Sequence, residues 1–120
     1  MTSMRLLGAV VLAALLAVAG GASTGLARAA GPTVTAIDLG TLGGTFSEGI
    51  DVNASGQVVG ESATAAFQIY AFSWTQAGGM LDLGTLGGGF STARDVNASG
   101  DAVGSSDTAA GDTHATLWHT

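Results

Sequence analysis

Asp38-Leu39-Gly40-Thr41-Leu42-Gly43-Gly44 returns unchanged as Asp82-Leu83-Gly84-Thr85-Leu86-Gly87-Gly88, 44 residues further on. The same spacing holds on either side of it. Phe46-Ser47 returns as Phe90-Ser91, and Asp51-Val52-Asn53-Ala54-Ser55-Gly56 as Asp95-Val96-Asn97-Ala98-Ser99-Gly100. Val59-Gly60 matches Val103-Gly104, Trp74 matches Trp118, and no gap is needed anywhere. Residues 38–76 and 82–120 are therefore two copies of one unit. A period in the forties suits a four-stranded propeller blade or certain helical repeats. The residue types decide for strands: Gly, Thr, Val and aromatics dominate, Pro occurs once, and turn dipeptides are frequent.

Within one copy we expect four short strands, at residues 48–53, 57–62, 70–75 and 80–86. The turns Asn53-Ala54-Ser55-Gly56 and Gln76-Ala77-Gly78-Gly79 separate the first pair and the last pair. A small or polar linker is expected between the second strand and the third. Side chains alternate along a strand, so Tyr70, Phe72 and Trp74 share one face while Ala71 and Ser73 share the other. In the second copy the first of these faces carries His114, Thr116 and Trp118. The Trp of each copy is expected to anchor its sheet through its large apolar area. Turns this short join antiparallel neighbours, so the expected fold is all-β, made of antiparallel four-stranded, propeller-like units, two blades to the chain.

These motifs resemble the HAF repeat of bacterial extracellular proteins. The resemblance rests on Asp-Leu-Gly-Thr-Leu-Gly-Gly, on Val-Asn-x-x-Gly-x-x-Val-Gly, and on the strand Tyr70-Ala71-Phe72-Ser73-Trp74. That strand carries Tyr where the family has His, and His114-Ala115-Thr116-Leu117-Trp118 keeps the His but has Thr for Phe. The resemblance implies export and a propeller-like all-β repeat, with no established chemistry. The departures in the second copy suggest a terminal or decaying repeat.

The N-terminus points to the same compartment. One charge at Arg5 precedes an apolar run over residues 6–19, and Ala27-Arg28-Ala29 offers small residues before a cut at Ala30. That order is a secretory signal, so we expect residues 1–29 to be removed and a secreted domain of residues 30–120, extracellular or in the periplasm or cell envelope. An uncleaved anchor is the rival, disfavoured because the run is short of about 20 apolar residues. All nine acidic residues follow Ala30, where the only formal cation is Arg94. Such a surface repels phosphate and anionic lipid, which excludes nucleic-acid binding and disfavours membrane-surface attachment. The chain has no Cys, so disulfides cannot reinforce a small core.

The copies are also out of phase with the chain. Residues 33–42 read as a fourth strand lacking its first three, and residues 113–120 as a third strand lacking its fourth. The first is the piece the second copy lacks. Two blades do not close a propeller of about four to eight, and an open sheet edge invites pairing. Self-association into an oligomer completing one propeller is one expectation, and a segment of a longer repeat array is the other.

Several residues invite a functional reading. Asp95, Asn97, Ser99 and Asp101 have the alternating oxygens of a calcium loop, with Gly100 for its tight bend, and Asp51, Asn53, Ser55 and Gly56 repeat the frame. Ser62 and Ser106 stand where an EF-hand requires a bidentate Glu, so the turn reading prevails and no cofactor is expected beyond this Ca²⁺ candidate. The segment 40–44 reads as a turn rather than a phosphate loop, because no Lys follows it. Tyr70, Trp74, His114 and Trp118 are candidate contacts for a glycan or peptide. An enzyme, hydrolase-like, would have to gather unrepeated groups such as Glu61, Arg94 and His114. Every recurring Ser and Asp is instead expected at a turn, so no catalytic residue is assigned. The chain is thus expected to be a non-enzymatic extracellular repeat protein of structural or binding role, with a lectin-like oligomer as the alternative.

Overall fold

The turn Asn53-Ala54-Ser55-Gly56 shows how the sheet is built. The Asn53 carbonyl accepts from Gly56 N at 3.0 Å and the Asn53 amide donates to the Gln57 carbonyl at 3.0 Å. Gly56, at φ +84°, supplies the left-handed residue that closes a type I turn into a tight hairpin. Asn97 repeats both bonds, to Gly100 and Asp101. In the computed structural model, which describes residues 31–120, such hairpins join every strand to the next within each copy. The expected signal, residues 1–29, lies outside the described residues.

Seven strands follow in order: β1 (Gly43–Val52), β2 (Val58–Thr64), β3 (Ile69–Thr75), β4 (Gly79–Gly84), β5 (Gly87–Val96), β6 (Ala102–Thr108) and β7 (Thr113–Trp118). β1 to β4 form one antiparallel meander, and β5 to β7 form a second with the same register. β4 covers one edge of β3 from Ala71 to Thr75, and β5 meets the end of that edge in parallel at Ile69↔Phe90. The result is one open, mostly antiparallel seven-stranded sheet, with no helix among the described residues.

Several expected boundaries move. β1 begins at Gly43 rather than near residue 48, so Gly43 and Gly44 open a strand instead of completing a turn. β4 stops at Gly84, whose φ of +73° ends the extended run before Leu86. Residues 33–42 form no strand; Leu42 makes only an isolated bridge to Thr64. The expected linker after β2 is a hairpin like the others, with Phe67 N donating to the Thr64 carbonyl at 3.0 Å. Its left-handed position carries Phe67 (φ 63°) where the second copy has Gly111, and so it does not read as a turn.

The core is thin and shared. Val59 and Ala71 of the first copy cluster with Ala93, Val96 and Ala102 of the second, and half-buried Leu83 and Trp118 pack against them. Phe72 is the largest fully buried side chain, whereas Trp74 is only half-buried. Phe72, not the Trp of its strand, therefore sits deepest in the first copy. Ala71, Phe72 and Ser73 are buried in succession, so both faces of β3 are covered instead of one.

The β1–β2 ladder slips by one residue between Gly49↔Gly60 and Asp51↔Val59, and β5–β6 slips at the equivalent place. Such a bulge bends the strand. It brings the Glu48 carbonyl so close to Gly60 that a Cβ there would collide with it, and Thr92 does the same to Gly104. Gly60→Ala is expected to destabilise the fold by about 1–3 kcal/mol, the usual cost of overpacking, measured by denaturant unfolding. Phe67, 93% exposed, is held in a backbone region that costs a side chain about 1 kcal/mol. Phe67→Gly is expected to raise stability by about that amount in the same assay.

Candidate functional site

Polar side chains build each copy in the same way. Asp38 Oδ1 accepts from Gly40 N at 2.9 Å, and Asp82 Oδ1 from Gly84 N at 2.7 Å. Thr41 and Thr85 hydroxyls donate to the carbonyls of Gly44 and Gly88, each at 2.9 Å. Ser62 Oγ accepts from Leu42 N at 2.9 Å, and Ser106 Oγ from Leu86 N at 2.8 Å. Ser47 and Ser91 hydroxyls donate to Gly40 and Gly84 carbonyls, each at 2.7 Å. These four serines, with Asp51 and Asp95, lie inside strands, not at turns as their recurrence had suggested. Ser62, Ser91 and Ser106 are buried and Ser47 is exposed; buried hydroxyls need internal partners, and the repeat makes the same bonds in both copies.

A second set of bonds joins the copies along a seam. Ser91 Oγ accepts from Ala71 N at 2.8 Å. Asp51 Oδ2 accepts from Val96 N at 2.9 Å, and Asn53 Nδ2 donates to the Asn97 carbonyl at 3.0 Å. Gln57 is buried there and its Nε2 donates to Ser73 Oγ at 2.9 Å and to the Gly100 carbonyl at 3.2 Å. Thr120 Oγ1 reaches the same Gly100 carbonyl. Sequence reasoning missed Gln57 because it is not repeated: Asp101 takes its place in the second copy. The break at Gln57-Val58, which the second copy replaces with Asp101-Ala102 in an otherwise matched stretch, was the available signal.

Above the seam lies an open cleft of about 410 Å³, lined by Ser55, Gln57, Ser73, Thr75, Ser99 and Thr120 among others. Its walls set a few hydroxyls and the Gln57 amide among glycine backbone and the apolar side chains of Leu81 and Ala98, so most of the lining is apolar. None of the candidate contact residues lines it. Tyr70 is half-buried and its hydroxyl donates to Gln68 Oε1 at 2.7 Å. Trp74 lies opposite Val58 and Met80 in the ladder, Trp118 packs on the core, and His114 is exposed on β7.

The calcium-loop residues are drawn into other bonds. Asn53 Oδ1 accepts from Ser55 N, Ser55 Oγ and Gln57 N, and Asn97 Oδ1 accepts from Asp101 N at 2.9 Å. Asp101 Oδ1 pairs with His119 Nδ1 at 2.9 Å. Asp95, Asn97 and Asp101 do border one hollow of about 370 Å³, together with Val96, Val103 and Leu117. No group of three acidic, His or Cys side chains able to hold a metal ion occurs among the described residues. Glu61, Arg94 and His114 stand on β2, β5 and β7, and no hydrogen bond or ion pair among the described residues joins them.

The geometry around Asp51 moves the titration of its carboxyl. The Val96 amide holds its carboxyl below the ordinary 3.8, helped by the Asp95 side chain and the Val52 amide, against a smaller opposing effect of burial. A carboxylate depressed in the folded state stabilises it above its unfolded value and loses that effect as pH falls through the folded value. The melting temperature is therefore expected to hold down to the ordinary carboxylate range and to fall below pH 3.8. The acid-side fall should be shallower in Asp51→Asn, followed by thermal melts across a pH series. Neither a family model, nor a curated protein, nor a solved structure matches this chain.

Proposed function

We propose that the chain is an exported, non-catalytic extracellular repeat protein whose two copies act as adjoining blades of a propeller-like scaffold with a structural or binding role. One observation carries the reading. The side chains that recur between the copies are engaged in matched hydrogen bonds that build the unit, Asp38 with Asp82, Thr41 with Thr85, Ser62 with Ser106. Repetition here serves construction, whereas a catalytic centre draws on unlike groups brought together once. A meander of four strands followed by one of three in the same register, packed on a shared core, supports the blade reading. The resemblance to the HAF repeat and the charge-apolar-small order of the N-terminus support the extracellular half of the proposal.

A glycan or an extracellular peptide is proposed to bind at the inter-copy cleft rather than at the aromatic residues, because the cleft sets the polar groups of Ser55, Gln57, Ser73 and Ser99 beside apolar Leu81 and Ala98, and none of the candidate rings lines it. The test is export. Expressed in a bacterial host, the full chain is expected outside the cytoplasm with a new N-terminus at Ala30, read by N-terminal sequencing. A chain kept in the cytoplasm with residues 1–29 intact would overturn the extracellular reading.

A further inference from the structure

The seam between the copies is a template for the surfaces that β1 and β7 expose. β5 buries against the first copy what β1 exposes: Val96 is 7% exposed, whereas its counterpart Val52 is 59% exposed. Ser91 is fully buried and accepts from Ala71 N, while Ser47 is exposed. The same asymmetry separates β3 from β7. Ala71 and Ser73 are buried, and Ala115 and Leu117 are exposed. The hollow bordered by Asp95, Asn97, Asp101, Val103 and Leu117 lies where the first copy has Asp51, Asn53, Gln57, Val59 and Ser73, the residues along which Val96, Asn97 and Gly100 of the second copy are seated. The chain thus carries one made seam and the two unlike halves of another.

The free edge of β7 has a template too, in the equivalent edge of β3. β4 pairs with β3 through Ser73↔Leu81 and Phe72↔Asp82. One period earlier, Ile37 and Asp38 stand where Leu81 and Asp82 stand, and they form no ladder. Their segment nevertheless has the conformation of its paired copy. Gly40 (φ +82°) matches Gly84 (φ +73°), and the Asp38–Gly40 and Ser47–Gly40 bonds match those of Asp82, Ser91 and Gly84. A segment already held in its paired shape loses little entropy on adding to an edge.

We infer that chains associate head to tail, β7 of one copy receiving residues 37–40 and the exposed face of β1 from a second copy, in the register of the internal seam. The inference rests on the blade reading above and deepens it. Leu117 of one chain then lies opposite Ile37 of the next, and Asp95 accepts from the next chain's Val52 amide as Asp51 accepts from Val96. The occupant is a second copy because the covering surface, its register and its hydrogen bonds are all displayed once inside the chain. The outer face of the second copy is not that of a capping repeat, which turns polar: Leu117 replaces Ser73 and is 53% exposed. At one point the contact is weaker than its template. Asp101 replaces Gln57 and keeps its carboxylate on His119, so one donor across the seam is lost. A contact between unlike faces closes into a ring or grows into a filament, and blade counts point to a ring of about two to four chains.

The absence of Cys makes the register directly testable. Full-length Ile37→Cys and Leu117→Cys, both at exposed positions, are purified, mixed in equal amounts and oxidised gently. The head-to-tail contact predicts the mixed disulfide in several-fold excess over either homodimer, and a discrete oligomer of the unaltered chain by light scattering. Ala115→Glu, exposed in the single chain but central to the contact, should reduce the oligomer to a monomer with unchanged circular dichroism. Ala77→Glu, at the exposed β3–β4 turn, should leave it intact. A monomeric unaltered chain at micromolar concentration, or homodimers as abundant as the mixed disulfide, would overturn the inference. A chain retained in the cytoplasm that still forms the mixed disulfide would overturn the extracellular reading alone, and an exported chain without it would overturn the contact alone.

Discussion

A buried hydroxyl joins three strands where the first copy meets the second. From its place in β5, Ser91 Oγ accepts from Ala71 N in β3 and donates to the Gly84 carbonyl at the end of β4. Ser91 is wholly buried, and a buried hydroxyl without partners costs about 1–3 kcal/mol. Its two bonds therefore fix where β4 stops, where β5 crosses the edge of β3, and how closely the copies approach. Ala71 and Ala93 are small enough to permit that approach, and they share the same core cluster. The rest of the seam, from Asp51 to Gln57, runs along the line that this contact sets.

The architecture was legible in the sequence where a local rule was obeyed. Asn-Ala-Ser-Gly has its Gly at the left-handed position of a hairpin, and both copies fold accordingly. Thr-Ala-Ala-Phe-Gln adopts the same hairpin without the Gly, and nothing local announces it. Only the second copy, with Gly111 at that place, carries the signal. Strand faces were harder to read. Alternation within 70–75 marks the aromatic face as the buried one, but Ala71 and Ser73 are buried too, because the second copy packs against β3. Burial on both faces removes the alternation from which a one-sided sheet is read.

The seam was illegible for a related reason. A search for repeats rewards identity, and identity marks what each copy does alone. Gln57 belongs to the seam, has no identical counterpart, and is among the most connected side chains in the structure. Asp51 and Val96 do recur, yet the contact uses only the Asp of the first copy and the Val of the second. Two adjacent positions of the repeat thus supply opposite sides of one contact, one from each copy, and identity between the copies does not reveal that.

This double use has an energetic consequence. The shared core contains alanines and valines but few large side chains, and no disulfide is available. In a linear repeat, stability is approximately a sum of unit terms and neighbour terms. A unit this poor in large buried side chains has a small term of its own, so the seam must contribute a large share. The acid on the seam, Asp51, accepts an amide proton from Val96 of the other copy, so its charge is hydrogen-bonded where the two units meet. Val52 and Val103 are exposed while their counterparts Val96 and Val59 are buried, so an apolar repeat position is covered or open according to whether the other copy stands against it.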